Sequence, residues 1–564
     1  MVHATGRVTL RRTAAIAAVV FTLGLLAGAC GTSETDSAEG GGDGPATGQT
    51  PSISEPDAGP PQDGGKLAYA LVAETSGWNP STGQWAASGH QVAVSIFDRL
   101  GAWDTEYNVK PFLASSIEPN EDFTQWTLGV REGVTFHNGD PVDAEAIAVN
   151  LQTFQTAALT RSALAPIESV EASEDGKSVV VTMNRPFSTY PLQLTSQVGV
   201  IAWPGMYDTV ANPNATLNPV GSGPFEFENW EQGAKLNVVK NDNYWREGLP
   251  HLDEIEYSIV TDNQARQASI KTGTVDMAEF FDPESIAELT ATTTEDEYRI
   301  FSDPEGETEE ALIMLNTSKA PLDTEDARRA IALATNTDEV VQLISDGEVQ
   351  AANGPFSEGS PWFAPDSGNP GYNLDEAKAL VEKVKADGDG TFSFTLTGVP
   401  VLETQRVAQL LQQQWATAGI EVRLEDIEQA ALIGKAVSGD YQALTWRQFG
   451  STIPDGEYVW TTCENIKPAG EISLNFARNC NERLDAAMDE ARATLDPELQ
   501  KQKYKIFQEE LAKDIPYIWL YQIQGIVIAS TKVKDITKAT LPSGDPQLAM
   551  VGVVHPVAQI WIAP

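Results

Sequence analysis

The residues that most often carry catalysis are few and scattered along this sequence. Beyond the amino terminus, His90, His137, His251 and His555 stand outside any His-Glu-x-x-His motif, and no serine lies within Gly-x-Ser-x-Gly. The glycine-rich segment 218–227 lacks the Gly-Lys-Ser or Gly-Lys-Thr ending of a phosphate-binding loop. We therefore expect no enzymatic activity and no cofactor, and we set aside a secreted hydrolase as the alternative.

Cys463 and Cys480 are the next candidates for chemistry, because they are close in sequence and the chain has only one other cysteine, Cys30. The amino terminus described below indicates export. An oxidising compartment favours a disulfide between them, which typically stabilises a fold by about 2–4 kcal/mol. Two buried thiols are the alternative. A metal site is disfavoured, since no histidine or Cys-x-x-Cys pair stands nearby.

The first thirty residues have the pattern of an export signal. A basic start precedes an apolar run that is shorter than a membrane-spanning helix needs. The small residues before Cys30 resemble a bacterial lipobox, although its usual leucine lies one place further back, at Leu26. The Arg11-Arg12 pair would suit a twin-arginine signal, but the positions after it do not match, which favours the Sec route. We expect residues 1–29 to be a lipoprotein signal peptide and Cys30 to be lipidated.

Residues 30–65 consist mainly of glycine, serine, threonine, proline and acidic residues, with almost no aliphatic side chain. Such a segment cannot offset the entropy of ordering, so we expect a disordered linker. A lipid on Cys30 would then attach the folded body to the cell membrane without spanning it. The expected location is the extracytoplasmic face of that membrane.

Charge and length limit the possible functions. The formal net charge is −43 over 564 residues, which excludes nucleic acid as a partner because phosphate binding needs a basic surface. The length exceeds what one simple core holds and predicts two or three lobes. Hydrophobic residues make up 41% of the chain, which is ample for globular packing.

Four segments indicate the scaffold that must position any site. Residues 126–150 predict a strand, a tight Asn-Gly-Asp-Pro turn, and a helix that starts behind Asp143. Residues 218–227 predict a sharp bend into a strand, residues 241–245 read Asn-Asp-Asn-Tyr-Trp, and residues 311–340 predict a strand followed by an amphipathic helix. In this order the segments resemble the family 5 extracellular solute-binding proteins, the receptors of peptide and nickel ABC importers.

The resemblance implies an α/β chain with the two-lobed, Venus flytrap fold of type II periplasmic binding proteins and an extra subdomain in the first lobe. Strand-helix-strand patterns in both halves agree with this fold. The expected boundaries are lobe I over 66–310, with the inserted subdomain at about 100–200, lobe II over 311–522, and a return to lobe I over 523–564. The two chain crossings between the lobes would act as the hinge.

The resemblance also implies a ligand site between the lobes. In peptide-binding relatives the loop after the strand that ends near Arg447 aligns the peptide, and an aspartate pairs with its α-ammonium. No acid stands at the expected place near Phe449, which leaves Asp455 nearby and makes Arg447 a candidate partner for a carboxylate. For Trp78, a packing role is the open alternative. The candidate ligand-binding residues are Glu74, Trp78, Trp446, Arg447, Asp455 and Tyr521.

The function implied by the resemblance is capture of an extracellular solute by closure of two lobes, followed by delivery to a membrane permease. We expect an oligopeptide as the ligand, with a nickel chelate, a sugar or another small amphiphile as the alternative, and we expect a monomer. A surface lipoprotein that senses its ligand would share this sequence pattern, because the transport or signalling partner is a different chain.

Overall fold

The computed structural model describes residues 55–564 except positions 159, 295–296, 304–308, 346, 348, 449–452 and 469–470. The expected signal peptide, Cys30 and most of the expected linker lie outside the described residues. Within the described part of the chain, no helix is long and apolar enough to cross a membrane.

The last residues of the expected linker, 55–65, lie against the folded body. Glu55 forms an ion pair with Arg299 at 3.2 Å, and Asp63 pairs with His251 at 2.8 Å. Composition alone predicts disorder here, because the segment has almost no aliphatic side chains to bury. The structure differs because its acidic side chains find basic partners that are distant in sequence.

The regular elements are numbered in chain order. The strands are β1 Lys66–Leu71, β2 Gly101–Trp103, β3 Val109–Pro111, β4 Ser116–Pro119, β5 Gln125–Gly129, β6 Ile167–Ala172, β7 Ser178–Met183, β8 Phe225–Glu231, β9 Lys235–Lys240, β10 Glu254–Ile259, β11 Met277–Phe280, β12 Tyr298–Phe301, β13 Glu309–Leu315, β14 Ser393–Gly398, β15 Glu421–Asp426, β16 Ala443–Gln448, β17 Tyr517–Ile523, β18 Ile526–Ser530, β19 Val533–Lys534 and β20 Trp561–Ile562. The α-helices are α1 Ala87–Ile96, α2 Ala144–Thr156, α3 Tyr190–Gln193, α4 Asn263–Lys271, α5 Pro283–Thr292, α6 Glu325–Leu333, α7 Thr337–Ser345, α8 Leu374–Asp387, α9 Leu402–Ala418, α10 Gln429–Ser438, α11 Tyr458–Thr461, α12 Glu482–Arg492 and α13 Pro497–Asp514.

Lobe I is built on a seven-stranded sheet in the order β12-β18-β11-β1-β10-β9-β8. The central strand β1 pairs in parallel with both β10 and β11, and α4 connects these two neighbours along the chain. The return strand β18 runs antiparallel to β11 and β12. Tyr69, Ile255 and Met277 of the central strands lie fully buried in the core of this lobe.

The inserted subdomain has an antiparallel four-stranded sheet in the order β4-β5-β7-β6, against which α2 packs. The signature segment 126–150 forms β5 and α2 as the sequence predicts. The Asp143 carboxylate accepts the amide of Ala146 at 2.8 Å and caps α2, and Gly139 adopts a φ of +88° in the turn before it. Capping and a positive φ are local effects, which is why the sequence pattern predicts them.

His137 joins two of the signature segments. Its Nε2 lies 3.1 Å from the carbonyl oxygen of Gly223, and the amide of Gly221 donates to its Nδ1 at 3.3 Å. Burial lowers the pKa of His137 to about 4, so the ring is neutral and Nε2 carries the donated proton. A Cβ on Gly221 would lie 2.0 Å from the carbonyl oxygen of Ile96. These glycines therefore allow close backbone packing.

The first helix differs from the expected one. The sequence predicts a helix over 92–100, whereas α1 ends at Ile96 and the chain then becomes extended. The reason is Asp98, whose carboxylate turns inward and accepts hydrogen bonds from Ser222, Tyr244 and Trp245 at 2.8–3.0 Å. Burial raises the pKa of Asp98 to about 6. Partners distant in sequence thus end the helix.

Lobe II is built on a five-stranded sheet in the order β15-β14-β16-β13-β17. Strand β14 is parallel to β15 and β16, and β13 is antiparallel to β16 and β17. Helix α9 connects β14 with β15, buries Trp415 completely, and ends at Gly419, whose φ is +94°. The strand-helix-strand unit and its glycine stop agree with the sequence pattern.

The chain passes between the two large sheets from β12 to β13 and again from β17 to β18. In lobe II, the carboxyl ends of β14, β16 and β17 lie at the edge where β13 begins. In lobe I, the carboxyl ends of β1, β10, β11 and β12 lie at the edge where β18 begins. The carboxyl ends of both sheets therefore lie at the edges where the chain crosses.

Candidate ligand-binding cleft

The two sheet edges at the crossings are where a ligand site is expected, because open α/β sheets bind ligands beyond the carboxyl ends of their strands. On the lobe II edge, Arg447 of β16 and Tyr521 of β17 both pair with Ala311 of β13. Residues paired across neighbouring strands share one face of a sheet. The fold therefore brings together two of the residues that the sequence proposes for the ligand site.

Glu403, in the first turn of α9, joins these two side chains. The Tyr521 hydroxyl donates to its Oε1 at 2.6 Å, and Nη2 of Arg447 donates to the same oxygen at 3.4 Å. The amino terminus of a helix favours a negative charge at this position. The Arg447 side chain keeps 42% of its surface exposed. Arg447 is thus held in place and remains accessible to a ligand.

Burial and neighbouring charges shift the pKa values of the groups at this edge. Burial lowers the pKa of Arg447, but Glu403, Tyr521 and Glu309 outweigh that effect and the pKa is raised. Burial also raises the pKa of Glu309, which the positive charge of Arg447 opposes. Burial and the Glu403 carboxylate raise the pKa of Tyr521, so its hydroxyl stays a donor. Arg447 is consequently a permanent cation at this edge.

Trp446 precedes Arg447 and points to the opposite face of the sheet, because neighbouring side chains in a strand alternate. Its ring packs edge-to-face against Phe476 at 5.4 Å between centroids. The side chain is half-buried beside the core of lobe II. An aromatic surface therefore remains exposed at the carboxyl end of β16.

Asp455 is not available to a ligand. Its carboxylate is completely buried and pairs with Arg492, which donates from Nε at 2.6 Å and from Nη2 at 3.1 Å. This bidentate pair assigns Asp455 a structural role, which replaces the ligand role expected from the sequence. Arg492 lies at the end of α12, and the sequence offers no local signal of this pairing.

Glu74 and Trp78 also have roles within lobe I. The Glu74 carboxylate accepts the indole N–H of Trp230 at 2.7 Å and the amide of Gly233 at 2.8 Å, which ties the loop after β1 to the β8–β9 hairpin. Trp78 is 2% exposed and packs against Trp230 and Trp85. Trp78 is therefore a core residue. Neither Glu74 nor Trp78 is among the ligand contacts that we propose.

Glu279 is a buried carboxylate at the lobe I edge that sequence analysis missed. It lies near the end of β11, and its Oε1 accepts the amide of Val72 at 2.9 Å and the hydroxyl of Ser88. Burial raises its pKa to about 6, with the two hydrogen bonds acting in the opposite direction. A single acid within the apolar strand Met277–Phe280 was the available signal. The sequence signal for Glu403 was similar, since it is an acidic residue shortly after the end of β14.

Cys463 and Cys480 form a disulfide, with their Cα atoms 4.7 Å apart. The prediction from cysteine spacing and export is thus confirmed, and the alternative of two buried thiols is wrong. The bond lies between the turn after α11 and the residue before the cap of α12. It therefore ties this turn to the start of α12.

The metal-ligating side chains and the histidines have the following arrangement. Among the residues that the structure describes, no group of three or more histidine, cysteine, aspartate or glutamate side chains is arranged to hold a metal ion. His555 is buried and His90 and His137 are half-buried, and desolvation lowers the pKa of each, to about 3 for His90 and about 4 for the other two. Neutral, packed rings of this kind are structural.

Comparisons with known proteins agree with this geometry. The middle region of the bacterial extracellular solute-binding proteins of family 5 matches residues 108–467. The glutathione-binding protein GsiB of Pectobacterium atrosepticum is 27% identical over 450 residues, which cover 78% of this chain and 85% of GsiB.

Two solved structures show the same fold. The binding protein AgaA from A. tumefaciens R10, in complex with agropinic acid, superposes with a TM-score of 0.75 at 23% identity, over 89% of this chain and 99% of that one. The oligopeptide-binding protein AppA from Bacillus subtilis, in complex with a nonapeptide, gives 0.74 at 23% identity, over 90% of this chain and 100% of that one.

The fold is that of the type II periplasmic binding proteins, with two α/β lobes. The family match spans more than half of the chain, so the chain belongs to the bacterial extracellular solute-binding proteins of family 5. The resemblance seen in the sequence is thereby confirmed. The protein is a solute-binding component of an ABC importer that acts outside the cytoplasm, and it is not an enzyme.

Proposed function

We propose that this protein is a lipid-anchored receptor that captures an oligopeptide between its lobes and delivers it to a membrane permease. The observation that carries the proposal is Arg447, an accessible guanidinium that Glu403 holds at the carboxyl edge of lobe II. A guanidinium of fixed orientation suits a carboxylate, which every peptide with a free carboxyl terminus presents.

The relatives support a peptide ligand. GsiB is named for glutathione and AppA was solved with a nonapeptide, whereas AgaA was solved with agropinic acid. Two of these three ligands are peptides, and a peptide also suits strand edges that can pair with an extended backbone. A non-peptide solute such as a nickel chelate, a sugar or another amphiphile is the alternative ligand.

The proposed contacts on lobe II are Arg447 for the charge, with Tyr521 beside it and Trp446 on the opposite face at the same strand end. Trp446 offers an aromatic surface and Tyr521 fixes the Glu403 carboxylate that orients Arg447. A ligand drives closure only when it contacts both lobes and so binds the closed form more tightly than the open form. Contacts from the lobe I edge complete the site in this proposal.

Native mass spectrometry of protein purified without refolding tests the ligand. We expect a heterogeneous set of peptides released from the folded protein. A single non-peptide compound would overturn the peptide assignment and leave the receptor function standing. A preparation that binds neither peptides nor any other tested solute would contradict the receptor function itself.

A recovered peptide can then be synthesised as the free acid and as the carboxyl-terminal amide. The wild-type protein should bind the acid about 10- to 100-fold more tightly, since a hydrogen bond to a charged group contributes about 1.5–3 kcal/mol. Arg447→Ala should abolish this preference, and Arg447→Lys should retain part of it. Arg423→Ala is the matched control, because Arg423 lies on β15 of the same sheet with an exposed side chain. Equal acid preference in Arg447→Ala would refute the role of Arg447.

The lipid anchor needs its own test, because Cys30 lies outside the described residues. We expect metabolic labelling with a radioactive fatty acid to mark the wild-type protein and not Cys30→Ser. The variant should also appear in the soluble fraction. Labelling that persists in Cys30→Ser would contradict lipidation at this cysteine.

A further inference from the structure

The inserted subdomain contacts lobe II directly, away from the two chain crossings. After β7, the backbone amide of Ser188 donates to the carbonyl oxygen of Arg492 at 2.7 Å, and its hydroxyl donates to the carbonyl oxygen of Thr494 at 2.6 Å. Nearby, Nη2 of Arg185 pairs with Oε1 of Glu464 at 2.8 Å. These bonds join residues that are separated by about three hundred positions, and they connect the two halves outside the chain crossings.

The contact is well packed as well as polar. The guanidinium of Arg492 lies over the Tyr458 ring at 3.3 Å and over the Phe187 ring at 4.7 Å, measured to the ring centroids. Tyr458 belongs to lobe II and Phe187 to the subdomain, so one buried cation stacks on an aromatic ring from each half. Arg492 is 2% exposed. Water is therefore largely excluded around Arg492, whereas the side chains of Arg185 and Glu464 keep 34% and 38% of their surface exposed.

We call this contact the latch and define it by Arg185, Phe187 and Ser188 on the subdomain and by Tyr458, Glu464, Arg492 and Thr494 on lobe II. Tyr458 belongs to the lobe II core on the face of the sheet that carries Trp446, opposite to the face that carries Arg447. The chain crossings and the latch thus connect the halves at separate places.

The disulfide supports the lobe II half of the latch. Cys463 directly precedes Glu464, and its bond to Cys480 ties the Glu464 turn to the start of α12. The amide of Cys463 also donates to the Asp485 carboxylate on α12 at 3.1 Å. Since α12 ends at Arg492, the same helix carries the disulfide tie near one end and the latch at the other.

Rotation of the lobes about the crossings must break the latch, because its hydrogen bonds are directional and fail when the atoms separate by about 1 Å. We propose that the latch holds the closed form of the receptor and that the disulfide positions the Glu464 turn for it, so that the latch sets how long a captured solute is retained. This inference rests on the proposed receptor function and concerns residues that need not contact the solute.

Hydrogen exchange at two neighbouring amides reads out the latch directly. The amide of Ser188 bonds across the lobes to Arg492, whereas the amide of Phe187 bonds within the subdomain to the carbonyl oxygen of Phe123 at 2.9 Å. Mass spectrometry with electron-transfer fragmentation separates the two positions. In the full-length protein without added solute, Arg185→Ala and Glu464→Gln should each speed exchange at Ser188 at least threefold, and the double variant should do so at least tenfold. Exchange at Phe187 should stay unchanged.

The control is Lys271→Ala, which removes an ion pair of 3.0 Å between Lys271 and Glu288 inside lobe I. It should leave exchange at Ser188 at the wild-type rate. Wild-type exchange in both latch variants would overturn the latch. This outcome is independent of the ligand experiment. The latch proposal can fail while native mass spectrometry still recovers a solute, and the latch can be present although no solute is recovered.

Cys463→Ser combined with Cys480→Ser tests the positioning role of the disulfide. We expect faster exchange at Ser188, which lies on the other half of the molecule, with unchanged exchange in the lobe I sheet. Asp485→Ala loosens the same turn with the disulfide intact and should act in the same direction. If the double cysteine variant or Asp485→Ala is folded and its Ser188 amide exchanges at the wild-type rate, the turn does not position the latch.

Discussion

The pair of Asp455 and Arg492 allows a sharp test of whether Asp455 is structural or binds the ligand. Asp455→Asn removes the negative charge with little change in size. Arg492 then stays buried as a cation without its counter-charge, because its side chain is only 3% exposed and its Nη1 has no hydrogen-bond partner among the described residues. The rings of Tyr458 and Phe187 that it contacts cannot neutralise a full charge, and the nearby Glu464 carboxylate is already paired with Arg185.

The expected loss of stability follows from the burial of the Arg492 guanidinium. Breaking a buried, hydrogen-bonded ion pair by removing one partner costs about 3–5 kcal/mol. For a unit of the size of lobe II, one kcal/mol shifts the unfolding midpoint by roughly 2–4 °C, so Asp455→Asn should lower the midpoint by roughly 6–20 °C. Adding Arg492→Met removes the orphaned charge and should recover part of that loss.

Calorimetry of the ligand-free protein measures the effect, and Asp326→Asn is the matched control. Asp326 pairs with Lys383 at 2.6 Å in the same lobe, but both side chains are exposed, so the expected loss is only about 0–1 kcal/mol. An unchanged midpoint in Asp455→Asn, together with weaker binding of the recovered solute, would refute the structural assignment. Asp455 would then be a ligand residue.

Three further outcomes are expected. Trp446→Ala should weaken binding of the recovered solute about 30-fold by titration calorimetry, as loss of an aromatic contact does, while the protein stays folded; unaltered affinity would remove Trp446 from the site. Replacing both Cys463 and Cys480 by serine should lower stability by about 2–4 kcal/mol in urea unfolding, and wild-type stability would contradict this.

For His137, the folded pKa of about 4 lies below the ordinary value of 6.5, so the unfolded chain binds more protons between these pH values. Stability should therefore fall by roughly 3 kcal/mol as the pH drops through this window, and His137→Gln should lack this loss. If stability falls equally with pH in the wild-type protein and in His137→Gln, the role of His137 in this pH dependence is disproved.

Much of the scaffold can be predicted from the sequence because the effects that form it are local. The Asp143 cap and the positive φ of Gly419 depend on neighbours within a few residues, and the structure has both. The end of α1 could not be predicted, because Asp98 turns inward to bond Tyr244, which is 146 positions away. Local propensity favours continuing the helix, and the distant partner overrides it.

The candidate site also has one part that the sequence predicts and one part that it does not. The strand that carries Trp446 and Arg447 was predictable, since the family pattern and the alternation of β16 mark it. The role of Asp455 was not, because its partner Arg492 is 37 positions away and on another element. An acidic residue in a loop is equally compatible with a ligand, solvent or a buried arginine.

By itself, the sequence determined the family, the lobes and the disulfide partners, because turns, caps, periodicity and cysteine count act within short stretches of chain. Only the tertiary structure decided which charges are free to bind. Folding buries Asp455 against Arg492, leaves Arg447 accessible beside Glu403, and brings Arg185 onto Glu464. The physical reason is that the availability of a charged group depends on its burial and on partners that the fold brings from far along the chain.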